Sequence, residues 1–394
     1  MKKKKNKEEK KASVMRRYEY RIYPSETQVN LFVRTFGCVR FVYNRLLREK
    51  IDFYKKTKKT IINTPRHLKD EFPWLVEVDS LALCNAQMAL ESAFSNFFRD
   101  KTTGFPRFKS KKSPVRTYTT NCVNNNIAIV RDTDAPKQKQ WKLKLPKVGL
   151  VDIVYHRHIP DSWSIKAVTV KMLPSGRFHA SVLCDTKETP APLRHMDEIP
   201  DERIIGLDYS MSELYISSSG ETPGNRKFFR ADERKIAREK RRLARCEKGS
   251  KNRQKQRKRV ARLEQRVADR RKDFLHKESR RIANAFDVVC VEDIDMRGMS
   301  RSMNFGKSVH DNGWGMFRNM LAYKLAEKGG RLVKVDRYYP SSKLCSVCGH
   351  KKDSLELSER IYVCEHCNAE MDRDFNAAIN IRNEGLRILK LKAV

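Results

Sequence analysis

The chain has 394 residues, 39% of them hydrophobic, with 84 Lys and Arg against 48 Asp and Glu, a formal charge of +36. That length allows two to four domains at roughly 100–200 residues each, and the apolar content is enough for real cores. So basic a fold repels itself unless a polyanion neutralises it, which points to nucleic acid, while the lack of any apolar run near the roughly 18 residues of a membrane span argues against insertion in a bilayer.

The opening MKKKKNKEEKKASV is charged with no apolar run behind it, so a disordered basic tail rather than a secretory signal is expected over 1–12. MRRYEYRIYP reads as a strand. YPSETQVNLFVRTFGCVRFVYNRLL then starts with a capping-box pattern, Ser25 followed by Gln28. Phe32, Phe36, Val39, Tyr43 and Leu46 recur at three- and four-residue steps, as one buried helical face requires. A second helix is predicted from about Ser80 to Phe98, with Leu83, Ala86, Leu90, Ala93 and Phe97 on one side. These helices define a helical domain over 25–118. Near its end, GFPRFKSKKSPVRTYTT alternates Phe105, Phe108 and Tyr118 with Arg107, Lys109, Lys111, Lys112 and Arg116. Rings of this kind stack on bases while cations meet phosphates. An ordinary basic loop with aromatic anchors has the same composition.

Short strands follow in NIAIV, WKLKLP, VDIVYH, IKAVTVKML and FHASVLCD, punctuated by turns such as Pro174-Ser175-Gly176. They predict a small β-barrel or curled sheet over 13–24 and 119–200, into which the helical domain is inserted. From Arg203 the order becomes strand, strand, long helices, strand, helix, strand, cysteines and a last helix. That order suits an RNase H-like nuclease over 201–341 and 371–394. Its helical part, placed at 225–281, is most basic between Arg234 and Lys272, with nineteen Lys and Arg against four acids. Val260, Leu263, Val267 and Phe274 give it a thin apolar seam, and Lys248-Gly249-Ser250 a turn. So one-sided a charge favours a hairpin that tracks phosphates, with Arg241, Arg245, Lys251 and Arg257 as candidate contacts.

Six cysteines, Cys38, Cys84, Cys122, Cys184, Cys246 and Cys290, stand singly and are expected to be reduced in a cytoplasmic protein. The other four form two CxxC doublets, Cys345 with Cys348 and Cys364 with Cys367, fifteen residues apart. This is the spacing of a four-thiolate structural zinc site, with no open coordination position, in a ribbon over 342–370. Asp208 in an apolar strand, Glu292 at the end of another and Asp374 at a helix start each lie beside aliphatic residues. A carboxylate among such neighbours is costly alone, and the economical arrangement brings all three together around divalent cations. Oxygen ligands suit Mg²⁺, with Mn²⁺ as a substitute, and a pair of ions promotes in-line attack on a phosphodiester. For Asp374, a simple helix-start role is the alternative.

GLDYS, VVCVEDIDMRGMS, the ribbon entered through YYPSSKLCSVCG, and DRDFNAAINI resemble, in that order, the three RuvC motifs and zinc ribbon of the TnpB family. These are transposon-encoded, OrfB-type relatives of the type V CRISPR effectors. YRIYPSETQ, FGCVRFVYN and GFPRFKSKK extend the resemblance over nearly the whole chain. It implies a multidomain α+β protein: a RuvC nuclease domain with an inserted zinc ribbon, a β-barrel wedge domain and a helical recognition domain. It further implies an RNA-guided DNA endonuclease that takes a guide RNA made from the transposon end, binds double-stranded target DNA beside a short flanking motif, and cuts with one RuvC site and two Mg²⁺ ions. Asp208, Glu292 and Asp374 match the family's catalytic acids, with Asp293, Asp295 and Asp372 as supporting or incidental neighbours. Ser210 stands where many members have Gly, which leaves the adjacent carboxylate intact. The implied location is the cytoplasm, at the nucleoid. A CRISPR-associated effector of the same ancestry, a nonspecific nuclease, a non-cutting RNA-guided regulator, and a transposase using the His156-x-His158 pair are the rival readings; the three intact acids argue against the regulator, and Arg157 between the histidines looks more like a surface cation.

Overall fold

The computed structural model describes residues 13–136, 139–224, 227–302, 306–356 and 358–393, so the tail expected over 1–12 lies outside the described residues. The chain divides into two compact units, Met1–Thr189 and Pro190–Val394. Among the described residues no helix is long and apolar enough to cross a membrane.

In the first unit, strand β1 (Met15–Tyr23) leads into the long helix α1 (Glu26–Thr57) through the predicted capping box. The Gln28 backbone N–H donates to Ser25 Oγ at 3.3 Å, and the Ser25 N–H donates to Gln28 Oε1 at 3.0 Å. Helices α2 (Arg66–Glu71) and α3 (Ser80–Arg99) follow, then six strands: β2 (Arg116–Asn121), β3 (Ala128–Arg131), β4 (Trp141–Leu145), β5 (Gly149–Ile153), β6 (Ser164–Met172) and β7 (Phe178–Asp185). With β1 they make one antiparallel sheet in the order β2-β6-β7-β1-β5-β4-β3. All five residues predicted for the inner face of α1 are buried. Phe32 and Phe36 meet Tyr118 of β2 at ring-centroid distances of 6.1 and 5.7 Å, and Phe32 meets Phe178 of β7 at 5.6 Å. The helices and the sheet thus share one core, in which each buried ring contributes roughly 1.5–3 kcal/mol. Tyr118, read from the sequence as a base-stacking aromatic, is buried, because it lies on the inward-facing alternation of β2.

In the second unit, β8 (Ile204–Ser210) turns back into β9 (Leu214–Ser217), and the basic hairpin follows as α4 (Phe228–Arg245) and α5 (Lys251–Ala285). Gly249 takes a positive φ of 92° at the turn, and Ser250 caps α5 by accepting from Arg253 N. Next come β10 (Val288–Glu292), helices α6 (Met296–Ser302), α7 (Gly306–Asn312) and α8 (Trp314–Ala326), and β11 (Arg331–Val335). The ribbon supplies β12 (Ile361–Val363) and β13 (Glu370–Asp372), and α9 (Arg373–Ala393) ends the unit. The central sheet has the order β11-β10-β8-β9, with β8, β10 and β11 parallel and β9 antiparallel.

Side-chain alternation assigns the two faces of this sheet. Ile205, Leu207, Val289 and Val291 pack with Leu275, Ile282, Trp314 and Phe317 of α5 and α8. Ile204, Val288, Cys290 and Val333 pack with Ile381 and Leu389 of α9. Two glycines set how closely α9 lies on the sheet. A Cβ at Gly206 would stand 2.1 Å from the Ala378 carbonyl oxygen, and one at Gly385 would stand 2.2 Å from Cys290 Sγ.

Candidate active site

The register of the parallel strands places two of the predicted acids side by side. Leu207 pairs with Val291, so Asp208 and Glu292 are the next residues on neighbouring strands. By alternation both belong to the face that α9 covers, with Ile204 and Gly206 on one strand and Val288 and Cys290 on the other. Asp374 lies in the first turn of α9, at that same edge. The electrostatics agree with this placement. Burial, then the negative charges of Asp374 and Glu292, hold the Asp208 carboxyl well above the usual carboxylate range. Burial alone raises Glu292. Asp374 Oδ1 receives the neighbouring Arg373 Nε at 3.2 Å. Asp208 is near enough to Asp374 and Glu292 to feel both charges. Among the described residues the group whose ligand atoms all lie within 4.8 Å of one another is the four-cysteine cluster.

The surrounding aspartates divide into distinct jobs. Asp372 Oδ1 accepts the backbone N–H groups of Asp374 and Phe375, each at 2.9 Å, and so caps α9. The helix-start role is filled by Asp372, so the Asp374 carboxylate is not spent on the cap. Asp293 pairs with Arg318 at 3.1 Å and Lys334 at 3.2 Å, and Arg318 also donates to the Glu292 carbonyl at 3.2 Å, fixing the strand end that carries Glu292.

The ribbon's cysteines converge. Cys345 and Cys367 have their sulfurs 3.6 Å apart, as do Cys348 and Cys364. This is close to the roughly 3.8 Å edge of a tetrahedron of thiolates around a metal at about 2.3 Å. Gly349 supplies the positive φ of 75° in the first knuckle. Backbone N–H groups of Cys367 and His366 lower the Cys364 thiol, while burial and contact with the neighbouring thiols raise Cys348 and Cys367, so the sulfurs titrate as one group. Asn376 and Asn380, which the sequence reading passed over, are buried and hydrogen-bond the loop before and within the first knuckle. Their i, i+4 spacing on an otherwise apolar helix face was the available signal.

The predicted nucleic-acid contacts fall into two sets. In the hairpin, Arg241, Arg245, Lys251 and Arg257 are all exposed and without an ion pair among the described residues. Beneath them the buried Glu239 gathers Arg242 at 2.9 Å, Arg259 at 3.2 Å and Gln256 Nε2 at 2.8 Å, clasping α4 to α5. In the GFPRFKSKK loop, Phe105 packs edge-on to Phe94 and Phe97, and Arg48 lies over Phe108 at 5.3 Å. Asn44 brackets the Lys109 backbone through both N–H and C=O, and Lys109 Nζ sits 3.9 Å from the Tyr43 ring centroid. The loop is anchored by these residues, while Arg107 and Lys111 are exposed. His156 and His158 pack against Tyr20, Tyr155 and Trp141, as members of an aromatic cluster.

Comparison with known proteins agrees with this geometry. Sequence profiles described as "Helix-turn-helix domain", "Probable transposase" and "Cas12f1-like, TNB domain" match residues 14–59, 187–303 and 314–381. Over the first of these the structure has a strand and one 32-residue helix. A Streptomyces pristinaespiralis protein named "Putative RNA-guided DNA endonuclease" is 35% identical, over 95% of this chain and 90% of its own length. An Escherichia coli K12 protein, "Putative RNA-guided DNA endonuclease InsQ", is 27% identical over 94% and 92%. The fold is similar to that in a cryo-EM structure of a Cas12f1–sgRNA–target DNA complex, with 13% identity, a TM-score of 0.58, and coverage of 94% of this chain and 99% of that one. With two acids near the C-terminal ends of its central strands and a third at the start of α9, its four-cysteine ribbon and a relative this similar along almost the whole length, the chain belongs to the TnpB family of OrfB-type proteins.

Proposed function

We propose that this protein is an RNA-guided DNA endonuclease whose single cutting site is formed by Asp208, Glu292 and Asp374. The observation that carries the proposal is the adjacency of Asp208 and Glu292 on parallel strands, facing the helix whose first turn holds Asp374. Burial and the neighbouring charges of Asp374 and Glu292 raise the cost of ionising Asp208, and a divalent cation would relieve that cost. Bound there, two Mg²⁺ ions would supply Lewis acidity for water attack on a phosphodiester. The chain's own part is to hold the three oxygen ligands on rigid elements, with Arg318 fixing the strand end behind Glu292. One Zn²⁺ would occupy the four-cysteine ribbon as a structural ion.

The partners in this reading are a guide RNA and double-stranded target DNA, met in the cytoplasm at the nucleoid. Pairing reads the sequence, while the exposed cations of α4 and α5, together with Arg107, Phe108 and Lys111, hold phosphates and stack bases. The test is to purify the full chain from its host, wash at 200 mM salt, sequence the retained RNA, and challenge it with matched and mismatched DNA. Generic polyanion binding with six to ten phosphate contacts weakens by roughly 10³–10⁵ between 50 and 200 mM salt. One dominant RNA whose 3′ segment dictates the cut is the expected result, and its sequence identifies a transposon-end or repeat-array source. Asp208→Ala, Glu292→Ala and Asp374→Ala should each abolish cutting and keep guided binding. A random RNA mixture with cutting that ignores the match would reduce the protein to a nonspecific nuclease.

A further inference from the structure

The four-cysteine centre and the carboxylate site are joined through one short piece of α9. Strand β13 ends at Asp372 and α9 begins at Arg373, so ribbon and helix are continuous. Asn376, fully buried, accepts from Ser346 N at 2.9 Å and donates to the Leu344 carbonyl at 2.6 Å. Asn380, one turn on, donates to the Ser341 carbonyl at 2.8 Å and to the Leu344 carbonyl at 2.7 Å. Leu344 and Ser346 flank Cys345, whose knuckle closes through Gly349 N to Cys345 O at 2.9 Å and Cys345 N to His350 O at 2.8 Å. Asp374 belongs to the same turn of helix as Asn376 and acts electrostatically on Asp208.

We infer that Asn376 is a positioning residue that couples metal occupancy of the four-cysteine centre to the placement of Asp374, so that the ribbon regulates the cutting site as well as bracing the fold. The consequence for cutting rests on the nuclease reading above; the coupling does not. With metal bound, residues 344–346 hold one backbone shape, complementary to both ends of the Asn376 amide. A buried network of this kind stiffens the structure only while every member is satisfied. When the knuckle opens, the amide loses both partners. The first turn of α9 is then left to the Asp372 cap.

The experiment uses the full chain with its retained RNA. Wild type and Asn376→Ala are compared in three measurements: transfer of metal to a chromophoric zinc chelator, single-turnover cutting against Mg²⁺ concentration, and hydrogen exchange of the peptide spanning 371–381. Asn376→Ala should hold its metal about 10–100-fold more weakly against the chelator, as loss of an outer-shell partner does. It should cut about 10²-fold more slowly, the scale of a 1 Å misplacement, with half-maximal rate at higher Mg²⁺. A purely structural contact would not move that Mg²⁺ dependence. Wild type stripped of metal should lose protection over 371–381, a result that stands even if the variant fails to fold. Unchanged protection on stripping would overturn the inference, as would Asn376→Ala cutting with wild-type rate and Mg²⁺ dependence. A wild type that never cuts guided DNA would remove the nuclease reading alone, because exchange and chelation still decide the coupling.

Discussion

Gly206→Ala adds one methyl group on the face of β8 that bears Asp208, two residues before it, where α9 passes closest. The new Cβ would stand 2.1 Å from the Ala378 carbonyl oxygen, 2.7 Å from Arg382 N and 2.9 Å from Arg382 Cβ. Two of these atoms are backbone, so no side-chain rotation relieves the overlap. Restoring an ordinary contact of 3.4 Å moves the carbonyl by about 1.3 Å, and the helix must move with it. Arg382 resists, because its guanidinium donates to the Ile204 carbonyl at 3.1 Å and the Asp201 carbonyl at 3.0 Å. Any lift of the N-terminal part of α9, with Asp374, must also strain the Asn376 and Asn380 hydrogen bonds to the ribbon's first knuckle. Overpacking of this kind costs about 1–3 kcal/mol, and a misplacement near 1 Å costs about 10²-fold in rate. The assay is single-turnover cutting of matched DNA, with retained RNA and thermal unfolding measured on the same samples. Gly315→Ala, where a Cβ meets nothing within 4 Å, is the control and should leave cutting unchanged. A Gly206→Ala protein that cuts at the wild-type rate would refute the claim that α9 is held at a critical height above the sheet.

The two aspartates at the start of α9 should separate cleanly: Asp372→Ala loses a helix cap and about 1 kcal/mol of stability, with cutting impaired only partly, whereas Asp374→Ala keeps stability and loses cutting; unfolding and cleavage on both variants check this. Lys324 is buried, donates to the His276 carbonyl and Ser279 Oγ, each at 2.7 Å, and burial brings its ammonium down to about 8 from an ordinary 10.5. Between those values the unfolded chain binds the extra proton, so stability rises with pH over roughly 8 to 10.5; Lys324→Met should flatten that rise in thermal unfolding, and an unaltered slope would exclude Lys324 as its source. Cys345→Ser and Cys367→Ser should lose bound zinc and become protease-sensitive near the C-terminus, because structural metal binding contributes folding energy; full zinc by elemental analysis in either variant would count against the four-thiolate site.

Local chemistry was legible from the sequence where one short segment carries it. The Ser25–Gln28 capping box, the turn at Gly249 and the cysteine doublets each depend on residues a few positions apart, and each is present. The candidate acids were legible for another reason: a carboxylate among aliphatics demands an explanation wherever it falls. Periodicity told which side of α1 is buried but not what buries it, so the core shared by Phe32 with Tyr118 and Phe178 could not be read. For the same reason Tyr118 looked like part of a nucleic-acid loop. The division between Asp372 and Asp374 was hidden because both are acceptable helix-start residues, and only the backbone decides which side chain turns back. Asn376 and Asn380 offered only their i, i+4 spacing, because every partner lies at least 30 residues away.

The wide spacing of the acids along the chain also fixes the order in which the site can come into being. Asp208 is translated 166 residues ahead of Asp374. At about 5–20 residues per second the gap is roughly ten to thirty seconds. From the moment Val333 is made until α9 follows, Val288, Cys290 and Val333 have no helix to cover them, and the sheet face that bears Asp208 and Glu292 is an unfinished apolar surface. The first unit, with its own core, and the basic hairpin are both complete as sequence by then. A nascent chain of this protein could therefore begin to hold nucleic acid before it can cut any. On the proposed function, a message broken before codon 374 would give a protein with the affinity and without the blade.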